Sequence, residues 1–169
     1  MEEWMINILQ VRYKRNSVRR FHYLIILCLI FTGCESPKSN ITNSDLHQAW
    51  QASLRDGKPI FIDFYTDWCR PCKVMDREVY SQQEIGDYLS NYYHAVKFNP
   101  EETKGVEAFG ETFELDDGLG VNTFIYFATQ SQFRGYPTAV ILSSEGELLW
   151  FHTGYLTKGE LLLALKSHN

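Results

Sequence analysis

At 169 residues, 44% of them hydrophobic and 15% aromatic, the chain has material for one ordinary domain with a sizeable core plus a tail, which excludes a disordered protein. Residues 1–34 hold five Lys or Arg and two Glu, leaving the remainder with 11 basic and 19 acidic residues. A folded part of net charge −8 argues against nucleic-acid binding.

Arg12, Lys14, Arg15, Arg19 and Arg20 precede an apolar run over residues 21–32 that closes in Phe31-Thr32-Gly33-Cys34. About a dozen apolar residues are too few to cross a bilayer comfortably and match the hydrophobic region of a secretory signal, within which Cys28 is one more apolar residue. The cationic flank stays cytoplasmic and the chain beyond the apolar run is exported. Thr32 and Gly33 before Cys34 resemble a bacterial lipoprotein signal, whose cysteine is lipidated; Phe31 stands where leucine is usual, and an uncleaved signal anchor is the other reading. The expected organisation is therefore a signal over 1–34, a polar linker over 35–43 and a domain over 44–169, tethered to a membrane in the cell envelope and facing the periplasm.

Ser44 is positioned to cap a helix with Asp45 in its first turn and Leu46, Ala49, Trp50 and Leu54 on one face; Asp56-Gly57 ends it. Residues 60–65 read as a buried strand, running into Trp68-Cys69-Arg70-Pro71-Cys72-Lys73 and a helix over 71–80. A second helix starts at Ser81, with Ser81 and Glu84 as a capping box and Ile85, Tyr88, Leu89 and Tyr92 inward. Residues 94–98 form a strand, residues 106–115 a hairpin around Gly110-Glu111, and residues 116–120 a loop. Asn122 caps a helix reaching Gln132. Residues 138–142 and 147–151 pair as strands, and Thr157 with Glu160 caps a last helix over 158–166. This order predicts the α/β class, a mixed sheet between helices.

Cys69 falls among the unpaired N–H groups of a helix N-terminus, where the dipole favours a thiolate, while Cys72 is one turn in and more shielded. That asymmetry suits an attacking and a resolving sulfur. Pro71 is tolerated early in a helix because its missing N–H would have no partner there. A zinc site or an inert staple would use the same residue type, but no second Cys pair accompanies this one. His47, His94, His152 and His168 have no metal-ligand spacing, and no cofactor motif appears.

Over residues 45–169 the chain resembles the thioredoxin superfamily. The hexapeptide around Cys69 and Cys72 matches that family's active-site motif, with Arg70 in place of the usual glycine. Arg134-Gly135-Tyr136-Pro137-Thr138 matches its Gly-x-Pro-Thr loop, whose proline is cis. Residues 57–81 are most similar to the C-terminal module of membrane thiol:disulfide interchange proteins and to small exported thioredoxins of Bacteroidetes-type bacteria. The resemblance implies a thioredoxin-like fold, a central mixed sheet flanked by helices, with an insertion over 100–121 that brings a small hairpin before the cis-proline loop. It implies that Cys69 attacks, Cys72 resolves, Asp63 with Lys97 moves the proton, and Pro137 lies against the pair. Trp68, Arg70, Pro71, Tyr136 and Gly154 would meet the substrate, Tyr136 by backbone pairing. Arg70 adds a positive charge favouring the Cys69 thiolate. The other readings place Asp63 at a strand edge facing solvent and Trp68 in the core. The implied activity is reduction of protein disulfides, fed by a transmembrane thiol reductase; an oxidase or isomerase, or a redox-inactive lipid-anchored binding protein, are the alternatives.

Overall fold

The computed structural model describes residues 39–41 and 45–169. The signal-like segment, Cys34 and Ser44 lie outside the described residues, among which no helix is long and apolar enough to cross a membrane.

Helix α1 (Leu46–Asp56) is capped by Asp45, whose side chain accepts from the Gln48 N–H, and ends at Gly57 in the left-handed conformation. Leu46, Ala49 and Ser53 are its buried residues. Leu54, expected inward, is half exposed, because Ser53 takes the inward position and donates to the Lys58 carbonyl at 2.5 Å.

Strand β1 (Ile60–Phe64) is buried at every residue and pairs in parallel with β2 (His94–Phe98) and antiparallel with β6 (Thr138–Leu142). Covered on both faces, it needs no polar alternation. Strand β7 (Leu148–Thr153) completes the order β2-β1-β6-β7. Ile60, Ile62 and Phe64 point into one core and Phe61 into the other, as the two-residue period of a strand requires.

Helix α2 (Arg70–Met75) follows the cysteine loop and widens into a π turn over Asp76–Tyr80, where the Ser81 N–H donates to the Asp76 carbonyl. A regular helix to residue 80 was expected. The wider turn changes which side chains share a face, and both Asp76 and Tyr80 reach the buried polar cluster beneath. Helix α3 (Gln83–Tyr92) lacks the expected capping box, since the Ser81 hydroxyl donates back to the Arg77 carbonyl and Glu84 pairs with Lys158. Ile85 and Leu89 are buried, but Tyr92 is 47% exposed and packs its ring on Tyr88 at 4.7 Å.

The insertion is larger than a hairpin. Strands β3 (Gly105–Ala108) and β4 (Glu111–Asp116) pair as expected, and β5 (Val121–Asn122) joins β4 to make a three-stranded sheet. Asn122 belongs to that sheet, its amide donating to the Phe113 and Thr103 carbonyls while its oxygen accepts from the Phe124 N–H. Helix α4 (Phe124–Ala128) stops short of Gln132 because Gln130 and Ser131 have left-handed backbones. Phe124 packs against Phe64, Phe98 and Phe113 at 5.2 to 5.7 Å, joining the insertion to the main sheet. Helix α5 (Lys158–Ser167) carries the expected Thr157–Glu160 capping box.

Residues 39–41, within the expected linker, are strapped to the domain. Ile41 is 4% exposed in the second core, the Asn40 N–H donates to the Tyr80 carbonyl, and its side-chain amide donates to the Gln82 carbonyl. A Cβ on Gly86 would lie 2.6–2.9 Å from the Asn40 side chain. Gly86→Ala is therefore expected to displace Asn40, while the gain of about 1 kcal/mol in helix propensity offsets the lost contact. Limited proteolysis near residue 40 should accelerate with little change in the unfolding midpoint; unchanged cleavage would show that the strap is not held there.

Candidate active site

Strand registers assemble the site. Phe64 at the end of β1 lies opposite Phe98 at the end of β2 and Thr138 at the start of β6, and Thr138 lies opposite Thr153 at the end of β7. The segments beyond them, carrying Cys69, Glu101, Pro137 and Gly154, therefore leave the same end of the sheet.

Cys69 and Cys72 form a disulfide, with Cα atoms 5.4 Å apart. Cys69 is the N-cap of α2: its Sγ accepts the Cys72 N–H at 3.1 Å, while its own N–H donates to the Thr66 carbonyl. A backbone donor aimed at one sulfur stabilises negative charge on that sulfur alone. The expected difference in exposure is not seen in the disulfide form, where each cysteine is 2% exposed. The asymmetry lies instead in hydrogen bonding. Arg70 and Pro71 occupy the first turn, both exposed.

Beneath lies a charged cluster. Asp63 is 1% exposed, which removes the strand-edge reading; its carboxylate lies 3.3 Å from Lys97 Nζ and accepts from the Tyr80 hydroxyl. Lys97 also pairs with Asp76 and sits 4.6 Å from the Tyr65 ring centroid. Burial pushes the Asp63 carboxyl up to about 6; Lys97 opposes the shift and Asp76 adds to it. For Lys97 burial pulls downward, but Asp63 and Asp76 together hold the ammonium above its ordinary value. Lys97 keeps 14% of its side chain exposed, whereas Asp63 keeps 1%. Burial, then Asp63, drives the Tyr80 phenol well above its ordinary value.

At the rim, the Tyr136–Pro137 bond is cis, and the Gly154 N–H donates to the Pro137 carbonyl at 2.8 Å. Trp68 is 68% exposed, not a core aromatic, and meets the Tyr136 ring edge-on at 5.8 Å. That contact joins the cysteine loop to the proline loop. The indole N–H donates to Glu101 at 2.8 Å.

The structure thus groups Asp63 with Lys97, Cys69 with Cys72, Trp68 with Tyr136, and Pro137 with Gly154. Sequence reasoning missed Asp76, Tyr80 and Glu101. Asp76 and Tyr80 follow Cys72 at four and eight residues, a helical spacing that marks one face. Glu101 carried no such signal.

A helix-mouth cysteine pair on a four-stranded mixed sheet, with a cis-proline loop at the same end, defines a dithiol/disulfide protein of mixed α/β architecture. The chain belongs to the thioredoxin-like family, whose Thioredoxin-like domain model matches residues 46–169. It is similar to the thioredoxin-like protein YneN of Bacillus subtilis, 32% identical over 121 residues that cover 66% of each chain. It is also similar to the thiol-disulfide oxidoreductase ResA of Geobacillus kaustophilus, 26% identical over 140 residues, 82% of this chain and 78% of that one. Among solved structures, the oxidised DsbD C-terminal domain of Neisseria meningitidis matches with a TM-score of 0.52 at 15% identity, covering 72% of this chain and 90% of that one, a likeness of fold.

Proposed function

We propose that the protein is an envelope-facing thiol:disulfide oxidoreductase that reduces protein disulfides. The observation that carries this reading is the Cys69 sulfur at the mouth of α2, accepting a backbone N–H and bonded to Cys72. In the dithiol form the Cys69 thiolate attacks one sulfur of a substrate disulfide, forming a mixed disulfide and expelling the other substrate sulfur as a thiolate. Cys72 then gives up its proton, with Asp63 as acceptor, and its thiolate attacks the Cys69 sulfur. The mixed disulfide breaks, the second substrate sulfur leaves, and the Cys69–Cys72 bond closes. Two electrons have passed to the substrate. With a carboxyl titrating near 6, Asp63 can accept and return a proton at neutral pH, and Lys97 steadies its anion.

Pro137 and Tyr136 align the substrate chain, with Trp68, Arg70, Pro71 and Gly154 completing the surface it crosses. Returning to the dithiol form takes two electrons from another dithiol, and a transmembrane thiol reductase supplies them. The cationic flank, the short apolar run and Thr32-Gly33-Cys34 support export and lipid anchoring at Cys34.

The test is the reduction potential of the Cys69–Cys72 pair in the full chain. A reductase sits near or below about −220 mV, whereas a value near about −120 mV would make the protein an oxidant and reverse the proposed direction. For the anchor, Cys34→Ser should move the protein from the membrane to the soluble fraction; continued membrane retention would favour the uncleaved signal anchor.

A further inference from the structure

The bond changes of thiol–disulfide exchange need no group beyond the two sulfurs and a proton acceptor, yet the rim holds a fixed charge that this chemistry leaves unused. Glu101 lies three residues beyond β2, at the end of the sheet that carries Cys69. Its backbone N–H donates to the Asn99 side chain at 3.1 Å, and the Asn99 carbonyl accepts from the Glu102 N–H and from the N–H and hydroxyl of Thr103. Asn99 is itself 7% exposed, so the turn that presents Glu101 is anchored from inside. The carboxylate is pinned at its outer end by the Trp68 indole, and it adds to the upward shift that burial gives the Tyr136 phenol.

Among the described residues Glu101 makes no ion pair. Asp67, next to Trp68 in the chain, and Glu102 add charge of the same sign, both acting on the Tyr65 ring. A polypeptide reaching Cys69 crosses the exposed face of Trp68. A cation there meets both the aromatic face and the carboxylate, while an anion meets an unpaired like charge.

We infer that Glu101 is a specificity-determining residue, a fixed carboxylate that selects disulfides flanked by lysine or arginine. This rests on the thiol:disulfide oxidoreductase reading and names the substrate class of that same site. An amide oxygen would accept the indole N–H equally; what glutamate adds is charge.

The experiment uses the full chain, reduced beforehand, against three synthetic peptides of one design whose single disulfide is flanked by arginine, serine or glutamate. The readout is the ratio of kcat/KM for the arginine peptide over the glutamate peptide, which a general loss of activity leaves unmoved. The wild type should give roughly fivefold in low salt, carried in KM and shrinking as ionic strength rises. Glu101→Gln should bring the ratio near one, Glu101→Asp should restore part of it, and Glu101→Lys should invert it. A wild-type ratio near one, or a ratio that survives Glu101→Gln, overturns the inference while leaving the oxidoreductase reading standing. Failure of the wild type to reduce any of the peptides overturns both.

Discussion

Replacing Cys69 by serine is expected to abolish reduction of a protein disulfide by the full chain, a loss on the order of a thousandfold or more, because a hydroxyl at neutral pH supplies almost no anion to attack sulfur. Replacing Cys72 should give a different failure. The Cys69 thiolate still attacks, but nothing inside the protein breaks the mixed disulfide, so a one-to-one covalent adduct accumulates, visible on a non-reducing gel and dispersed by a small thiol. Cys69 sits at the helix N-cap with the Cys72 N–H on its sulfur, the asymmetry on which the proposed roles of Cys69 in attack and Cys72 in resolution rest. Undiminished turnover by Cys69→Ser would remove the mechanism, and adducts formed by Cys69→Ser but not by Cys72→Ser would reverse the two roles.

Asp63→Asn is expected to stabilise the protein at neutral pH and to slow resolution. The native carboxyl titrates near 6 against an ordinary 3.8, so the folded state binds this proton more tightly than the unfolded chain. Below about pH 3.8 both states are protonated and Asp63 costs nothing. As pH rises to about 6 the unfolded chain has released the proton while the native state still holds it, and stability falls through that window. A shift of about two pKa units makes the full cost about 3 kcal/mol by pH 7, and a neutral asparagine of the same shape avoids it. Lys97 keeps Asp76 as its partner in the variant, and the Tyr80 hydroxyl can donate to the asparagine oxygen. Urea unfolding should therefore find the two proteins nearly equal at pH 3.5 and the variant more stable at pH 7. In the same variant, adducts trapped through Cys69 should persist longer, because the proposed mechanism has Asp63 accept the Cys72 proton. A variant less stable than wild type at pH 7 would mean that the Lys97 pairing outweighs the burial of Asp63.

These two outcomes are separable because they concern different links. The Cys69 result depends on local helix geometry that any chain with this motif would share. The Asp63 result depends on burial, which requires the whole sheet. Strand β1 is covered on both faces, so a carboxylate on it has no route to water and must either hold its proton or find a cation.

Residues 60–65 were legible as a buried strand because a short run dense in β-branched and aromatic residues needs cover on both faces, and the strand itself ends at Phe64. The Thr157–Glu160 cap was legible because capping is settled within four residues. The cysteine motif, with proline in the first helical turn, placed Cys69 at a helix N-terminus by itself. Each of these is a short-range rule, and each appears in the structure where it was expected. The misreadings fall where two local preferences competed. Ser81 could cap α3 or satisfy the end of the preceding turn, and it does the latter; Asn122 could cap a helix or bond across strands, and it does both, its oxygen accepting from the first N–H of α4 while its amide crosses to Phe113.

By itself the sequence carried the family resemblance in two motifs, the hexapeptide around Cys69 and Cys72 and the loop around Pro137, and it determined the buried strand and the helix mouth that hold the cysteine pair, since those follow from periodicity, spacing and helix-end chemistry. Tertiary structure decided the rest: that Asp76 and Tyr80 join Asp63 and Lys97, that residues 39–41 fold back onto Tyr80, and that Glu101 reaches Trp68 across 33 positions of chain. The last of these arises from which loops the strand registers bring to one end of the sheet, and no local pattern of residue types encodes a register.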